Sequence, residues 1–214
     1  LMKDLKTKNP SMLHIACGAG SHDYHFKKHF TVTGIDISEG MLKIARETNP
    51  EVTYLKGDMR DLNLEQKFDV VAIPEAIMYM NNKEDLTAAL SNATKLLNPD
   101  GVLLVVAHTK EEFQNNNFSY SGIKDGINVT VFENNFVISD HSYEATLVYL
   151  IRQNNDLKIY HEIHTLGLFP YTTWLALLND CSLKVREVDM NHLYDQYLLE
   201  DGEYKLKVFI AQKY

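Results

Sequence analysis

Between Ser11 and His108 the chain alternates repeatedly between a short apolar run and a more polar, amphipathic segment. The apolar runs are "MLHIA", "TVTGIDI", "VTYLKG", "FDVVAI" and "GVLLVVAH". A succession of strand, helix and strand of this kind predicts a parallel sheet with crossover helices. Because "FDVVAI" and "GVLLVVA" are continuously apolar, they are typical of central strands covered on both faces. We therefore expect a doubly wound α/β arrangement in this half.

The periodicity changes in residues 113–169, which are rich in β-branched and aromatic side chains. The segments "NVTVF", "NFVIS", "EATLVYLI" and "LKIYHEIHTLGLF" are separated by predicted turns at Asp125-Gly126, Asn134-Asn135 and Asn154-Asn155-Asp156. They indicate an antiparallel β insertion after strand five. A helix in "YTTWLALLNDC" and two strands, in "KVREV" and "YKLKVFIAQ", follow. The prediction is one domain, residues 1–214, with a Rossmann-like seven-stranded sheet, mostly parallel with its last strand antiparallel, and a cap at residues 113–169.

Charge and composition limit the classes of molecule that the protein is expected to bind. The formal charge of −8 and the absence of a dense Lys/Arg run make nucleic acid an unlikely partner and favour a small molecule. No apolar run reaches the ~18 residues of a membrane span, and the first ten residues are charged, so we expect no membrane association and a cytoplasmic protein. Cys17 and Cys181 have no metal-ligand spacing, and His22, His25 and His29 lack a matching acid, so no metal site is predicted.

The segment Cys17-Gly18-Ala19-Gly20 directly follows the first apolar run. Two glycines at the end of a strand allow main chain to approach a ligand closely. A dinucleotide fingerprint would place a third glycine where Asp23 stands. We expect this carboxylate to repel a pyrophosphate, which disfavours a nicotinamide or flavin dinucleotide.

Two further acids follow the next strands. Asp36, in "GIDIS", is placed to accept hydrogen bonds from both hydroxyls of a ribose. Asp58, in "KGDMRDL", is placed to accept from the exocyclic amine of adenine, with the Met59 backbone beside the ring. A nucleoside without a pyrophosphate is therefore expected. S-adenosylmethionine meets these demands, because its amino-acid tail can pack against the glycine turn and it carries no phosphate.

The segments "LHIACGAGSH", "GIDISEGMLKIAR", "LKGDMRDL", "FDVVAIPEAIMYM" and "LNPDGVLLV" resemble, in order and spacing, the motifs of class I S-adenosylmethionine-dependent methyltransferases. The later segment "HEIHTLGLFPYTTWLALLNDCSL" resembles the small-molecule branch that includes nucleotide-linked amino-sugar N,N-dimethyltransferases. The resemblance implies methyl transfer from S-adenosylmethionine to a small molecule, with an amine nitrogen as the favoured acceptor.

The resemblance also implies roles for individual residues. It assigns the methionine part of the cofactor to Ala16, Cys17, Gly18 and Gly20, the ribose to Asp36, and the adenine to Ile37, Asp58 and Met59. It assigns the cofactor's amino group to the backbone carbonyl of Ile73. His14 stands where the family usually has Asp or Glu. A histidine there can hydrogen-bond the loop or a water near the cofactor's ammonium, but it would repel that charge if protonated.

Methyl transfer from a sulfonium depends mainly on aligning the acceptor, and an amine acceptor need only lose a proton first. Candidate catalytic residues are Glu75, which could hold an ammonium or take its proton, and His108, a base by position at the exit of strand five. A solvated glutamate and a structural histidine are the alternatives. Glu162 and His164 share one face of a strand, where a structural pair is the favoured role.

Other functions stay open. Methylation of a nucleotide in RNA is a second enzymatic hypothesis, which the acidic charge disfavours. A protein that binds S-adenosylmethionine or S-adenosylhomocysteine without turnover is a third, and a dehydrogenase is a distant fourth. An exposed antiparallel cap would also offer a pairing surface for a homodimer.

Overall fold

The computed structural model of the protein describes residue 5 and residues 7–213. Within this range the chain forms four α-helices: α1 (Asp23–Phe26), α2 (Glu39–Thr48), α3 (Lys83–Lys95) and α4 (Tyr171–Asp180). The strands of the main sheet are β1 (Ser11–Ile15), β2 (Thr31–Asp36), β3 (Thr53–Lys56), β4 (Phe68–Pro74), β5 (Leu97–Ala107), β10 (Leu183–Met190) and β11 (Leu206–Lys213). The strands of the second sheet are β6 (Asn116–Lys124), β7 (Ile127–Ser139), β8 (Ser142–Gln153) and β9 (Asp156–Gly167).

The main sheet has seven strands in the order β3-β2-β1-β4-β5-β11-β10. The pairs from β3 to β5 are parallel, whereas β11 runs antiparallel to both β5 and β10. The predicted mostly parallel sheet with an antiparallel last strand is confirmed. Because β1 and β4 are adjacent and the chain leaves them in opposite directions along the sheet, a crevice opens at their carboxyl ends, where open α/β sheets bind ligands.

Separate apolar clusters lie on the two faces of this sheet. One core cluster combines apolar side chains of β1, α3 and α4: Leu13, Ile15, Leu86, Leu90 and Trp174. Met12, which directly precedes Leu13 in β1, joins a separate cluster with Val70 and Ala72, against which Phe26 of α1 packs. Alternate residues of one strand therefore bury opposite sides, as the continuous apolar runs predict.

The second sheet is the predicted insertion after β5, with four antiparallel strands in sequence order. Asp125 and Gly126 have positive φ values of 50° and 75°, and Asn154 and Asn155 have values of 48° and 66°. Positive φ at both central residues is the geometry of a two-residue hairpin turn that matches the twist of its strands. These two predicted turns are confirmed.

The predicted turn at Asn134-Asn135 is wrong, because β7 runs through both residues. Asn134 donates to Asn117 Oδ1 at 2.8 Å and Asn135 donates to Asn116 Oδ1 at 3.0 Å, both across the strand pair. The amide side chains that favour a turn in isolation are here satisfied by matching amides on β6. The chain instead reverses between Ser139 and Ser142.

The second sheet is held against the main sheet at the end of β9. Gly167 lies so close to a 3₁₀-helical turn, Ala76–Tyr79, and the residues after it that an added Cβ would lie 2.5 Å from the Met80 carbonyl oxygen. Tyr143 and Leu166 of the second sheet belong to the core cluster of the main sheet. No helix among the described residues has the length and apolar character needed to cross a membrane.

Candidate active site

A cavity of about 470 Å³, here called the rim cavity, opens at the carboxyl ends of β1, β2 and β3. Residues at or just after the three strand ends line it: Ala16, Gly18, Asp36, Ile37, Asp58 and Met59. Ala76 and Tyr79, from the 3₁₀-helical turn after β4, close one side. The sheet thus brings together six of the ten predicted cofactor residues.

The two glycines of the turn after β1 lack a side chain for two different structural reasons. Gly18 and Gly20 both have positive φ, 55° and 77°. An added Cβ on Gly18 would meet nothing within 4 Å, so this position leaves its space open to the cavity. A Cβ on Gly20 would lie 2.6 Å from the Tyr54 hydroxyl, so this position allows the turn to pack tightly against the protein.

Asp36 is fixed at the cavity wall by main-chain donors. Its Oδ2 accepts from the Gly18 amide at 2.8 Å, and its Oδ1 accepts from the Ser38 amide at 2.8 Å. Each carboxylate oxygen retains a further acceptor site, so the side chain can still receive a pair of ligand hydroxyls. The same contacts join the end of β2 to the glycine turn.

Asp58 is paired with Arg60, a cavity residue that the sequence analysis did not identify. Arg60 Nη2 lies 2.6 Å from Asp58 Oδ2, and its Nη1 lies 3.1 Å from Asp85 Oδ2. The hydrogen bonds from Arg60 hold the pKa of the Asp58 carboxyl below its ordinary value. A basic residue two positions after the acid, in "GDMR", was the available signal.

His14 does not line the rim cavity. Its Nδ1 lies 2.6 Å from Asp23 Oδ1, and both side chains are buried. Asp23 Oδ2 accepts from the Tyr54 hydroxyl at 2.9 Å, and Asn49 Nδ2 donates both to that hydroxyl, at 3.1 Å, and to the Gly20 carbonyl, at 2.9 Å. A buried polar network therefore supports the glycine turn from behind. The Asp23 carboxylate points inward, so this geometry does not support the predicted repulsion of a pyrophosphate.

Three further predicted residues also lie outside the lining of the rim cavity. Cys17 is buried, and burial raises the pKa of its thiol to about 12. Gly20 contacts the supporting network, and the Ile73 side chain is fully buried in β4. Among the described residues, no three His, Cys, Asp or Glu side chains are grouped so that they could hold a metal ion.

A second cavity of about 360 Å³, here called the aromatic cavity, lies between the main sheet and the second sheet. Two carboxylates, Glu75 and Glu133, line it together with five aromatic rings: Phe118, Tyr120, Tyr194, Tyr197 and Tyr204. Glu75 follows β4 directly and has a positive φ of 59°, an uncommon conformation for a residue with a side chain. Burial, with Glu133 nearby, raises the pKa of Glu75. Of these residues, the sequence predicted a catalytic role only for Glu75.

The two cavities flank the same turn, because Glu75 lines one and its neighbour Ala76 lines the other. Consecutive Cα atoms are about 3.8 Å apart. The hydroxyl of Tyr79, in this turn, lies 3.2 Å from His164 Nδ1. His164 Nε2 in turn lies 3.4 Å from Glu162 Oε2. Glu162 and His164 thus join the second sheet to the rim cavity.

His108 is fully enclosed and lines neither cavity. Its Nδ1 donates to the Lys205 carbonyl at 2.7 Å, while Nε2 has no hydrogen-bond partner among the described residues. The rings of Phe113, Tyr143 and Tyr204 pack edge-on around it. Burial lowers the pKa of His108 to about 4. The geometry gives this histidine a packing position and no access to either cavity.

Comparison with known proteins finds a matching family and similar relatives. Residues 12–101 match the family model for a methyltransferase domain. The chain is 39% identical over 107 residues to the dTDP-3-amino-3,4,6-trideoxy-alpha-D-glucopyranose N,N-dimethyltransferase of Streptomyces venezuelae. That alignment covers 49% of this chain and 45% of the relative, so the chain matches less than half of the relative's length.

Two solved structures share the fold over nearly the whole chain. DesVI of Streptomyces venezuelae has a TM-score of 0.83 at 24% identity and covers 97% of this chain and 85% of its own. SAM-bound CalS10 of Micromonospora echinaspora, an amino pentose methyltransferase, has a TM-score of 0.81 at 20% identity and covers 98% and 85%. These two structures show the fold, and the methyltransferase-domain match together with the 39% identical relative confirms the resemblance predicted from the sequence motifs.

Proposed function

We propose that the protein transfers a methyl group from S-adenosylmethionine to an amine nitrogen of a small molecule. The observation that carries the proposal is the rim cavity, where the open face of Gly18, the fixed carboxylate of Asp36 and the Asp58 carboxylate line one space. The name of the Streptomyces venezuelae relative, an N,N-dimethyltransferase acting on an amino sugar, supports nitrogen as the acceptor.

The lining residues fit the cofactor in the order in which the strands end. Ala16 and Gly18 would accommodate the amino-acid tail, Asp36 the ribose hydroxyls, and Asp58 with Met59 the adenine. The exposed Ile37 side chain would pack against the ring. Cys17, Gly20 and His14 would act indirectly, by supporting the turn, while contact of the Ile73 carbonyl with the cofactor's amino group stays a prediction. When bound, the cofactor supplies a methyl group on a positively charged sulfur.

The chain itself must position the acceptor and accept its proton. Glu75 lines the aromatic cavity and directly precedes Ala76 of the rim cavity, so its carboxylate is placed to take one proton from an ammonium and leave a neutral amine. Its raised pKa suits that exchange. Alignment of the acceptor then supplies most of the acceleration. His108 has no part in this proposal, because it is enclosed on all sides.

The test is calorimetric titration of S-adenosylhomocysteine into the wild type, Asp36→Asn and Asp58→Asn, with Asp125→Asn at the β6–β7 turn as the matched control. We expect at least about tenfold weaker binding for the first two variants, since each loses a charge-assisted hydrogen bond, and wild-type binding for the control. NAD should not raise Tm, whereas S-adenosylhomocysteine should. Wild-type affinity in both site variants would refute the proposal, and binding without transfer to any amine would favour a non-catalytic binding protein.

The proposal extends to the domain organisation of the chain and to its cellular location. We infer a single domain over residues 1–214 with the cap at 113–169, supported by the core cluster shared by both sheets. Separate apolar clusters on the two faces of the main sheet support a doubly wound arrangement. The acidic net charge supports a protein that does not bind nucleic acid, so RNA methylation stays the disfavoured alternative, while a cytoplasmic location stays a prediction.

A homodimer is also proposed. The strand registers place exposed apolar side chains of the second sheet on one face: Ile123, Phe132, Phe136, Ile159 and Ile163. A contiguous apolar face of this kind is typical of an interaction surface. Light scattering should give a dimer mass for the wild type and a monomer mass for Phe132→Lys combined with Ile159→Lys; a wild-type monomer would refute it.

A further inference from the structure

The aromatic cavity contains two carboxylates and no basic residue among its lining. In the described part of the chain, neither Glu75 nor Glu133 forms an ion pair with a Lys, Arg or His side chain. Lys205, which follows the lining residue Tyr204, is paired with Glu203 at 2.6 Å. Two neighbouring negative charges at a partly buried site are unfavourable unless a cation compensates them.

Neutral donors hold the two carboxylates in place. Glu133 Oε2 accepts from the Tyr120 hydroxyl at 2.7 Å, and its Oε1 accepts from Asn135 Nδ2 at 2.9 Å. Glu75 is hydrogen-bonded by the Tyr194 hydroxyl. These bonds orient the acids through uncharged donors, and each carboxylate retains acceptor sites for a ligand.

The aromatic rings add a second feature that favours a cation. Tyr120 and Tyr197 lie with ring centroids 6.0 Å apart, and Tyr204 lies 5.0 Å from Phe118 and 5.5 Å from Tyr194. The negative face of an aromatic ring attracts alkylammonium groups, and several rings around one space form the cages that recognise methylated amines. A volume of about 360 Å³ is that of a small-molecule site and far exceeds a metal ion.

We propose that the aromatic cavity is a subsite for a cationic amine, with Glu75 and Glu133 as its charge partners and the tyrosine rings as its walls. This inference rests on the proposed function, since the aromatic cavity and the rim cavity flank the same turn, at Glu75 and Ala76. It makes the cation the recognised form of the acceptor, both as the incoming ammonium and as its N-methylated product. It also predicts that phosphate-bearing groups do not enter this cavity, because no basic side chain lines it.

The experiment uses choline as the cationic probe and its uncharged carbon analogue 3,3-dimethyl-1-butanol as the matched neutral probe. Ligand-observed NMR measures the affinity of both in the presence of saturating S-adenosylhomocysteine. The variants are Glu133→Gln, which keeps the shape of the side chain, and Glu144→Gln, a control on the opposite face of the same sheet. We expect choline to bind at least about tenfold more tightly than the neutral analogue, and Glu133→Gln to remove most of that difference. The control should retain it.

Tyr197→Leu and Tyr197→Phe give a second test if Glu133→Gln does not fold. Tyr197 is partly exposed, so neither change disturbs the core. Phenylalanine keeps the ring face and should keep choline affinity, whereas leucine should weaken it several-fold. Equal binding of choline and its neutral analogue, or competition by dTDP for the choline site, would overturn this inference. Loss of S-adenosylhomocysteine binding in the wild type would instead overturn the proposed function, so the two failures are distinguishable.

Discussion

The rim cavity and the aromatic cavity lie side by side but are built in different ways. The rim cavity is formed by residues at three successive strand ends, and a buried network fixes its glycine turn from behind. The aromatic cavity is formed by side chains from the residue after β4, from the second sheet and from the segment before β11, and large rings make its walls. The first is suited to hold one constant ligand by main chain and short acids. The second can change with its side chains, which is what variation in the acceptor requires.

The largest expected effect comes from removing the buried support of the rim cavity. Asp23→Ala leaves His14 and Tyr54 without their shared partner, and breaking a buried pair in this way lowers the free energy of unfolding by about 3–4 kcal/mol. Urea denaturation measures the loss. Affinity for S-adenosylhomocysteine should fall with it, while choline binding to the folded fraction should not.

Glu51→Gln is the control for this change. Glu51 is exposed and pairs with Lys27 at 2.8 Å, beside the same short helix. Exposed pairs contribute little, so its denaturation midpoint should match that of the wild type. An Asp23→Ala protein as stable as Glu51→Gln would show that the network does not support the turn.

A slightly smaller effect is expected behind the aromatic cavity, on acidification. The pKa of His108 is lowered to about 4, whereas an unfolded histidine titrates near 6.5. Below pH 6.5 His108 therefore binds a proton in the unfolded state but stays neutral in the folded state. Stability is complete above pH 6.5 and falls by about 3 kcal/mol as the pH approaches 4.

Denaturation curves at several pH values test this for the wild type and His108→Gln, which retains a donor for the Lys205 carbonyl. The variant should lose much of the dependence between pH 6.5 and 4. A wild type whose stability is constant over that range would contradict the burial of a neutral His108.

Within the rim cavity, the two glycines should respond differently to one added methyl group. Gly20→Ala places a Cβ against Tyr54 and Asn49 and should lower stability by about 2 kcal/mol. Gly18→Ala meets no protein atom, so it should lose only about 1 kcal/mol from its positive φ. Its added methyl group enters the rim cavity, however. Cofactor affinity of Gly18→Ala should therefore fall more than its small loss of stability explains. Calorimetry and urea denaturation on both variants separate the two effects; equal losses of stability would contradict the difference in packing.

The sequence predicted the rim cavity better than the aromatic cavity for a physical reason. Asp36 and Asp58 follow strands that must end at one edge of a parallel sheet, so local pattern places them together. Glu133, Tyr194 and Tyr197 meet Glu75 only through the packing of the second sheet and the chain before β11. No spacing along the chain reports such contacts. His14 and Asp23 were predicted near the ligand, but their side chains satisfy each other in the interior, a pairing that neither residue reveals alone.

The smallest expected effect concerns Arg60, the basic side chain in the wall of the rim cavity. Its hydrogen bonds lower the pKa of Asp58, so they keep that carboxylate ionised to lower pH than an unpaired acid. Arg60→Gln removes the side-chain hydrogen bonds and leaves only the backbone amide at position 60 to oppose burial, so the pKa of Asp58 should rise. Between pH 6 and 4.5 the variant should lose affinity for S-adenosylhomocysteine about twofold more than the wild type, with circular dichroism confirming that both remain folded. Lys124→Gln, at the far end of β6, is the charge-matched control and should follow the wild type. If Arg60→Gln binds the ligand more tightly at every pH, then Arg60 competes with the ligand for Asp58, and the acid's role as a free acceptor for adenine must be revised.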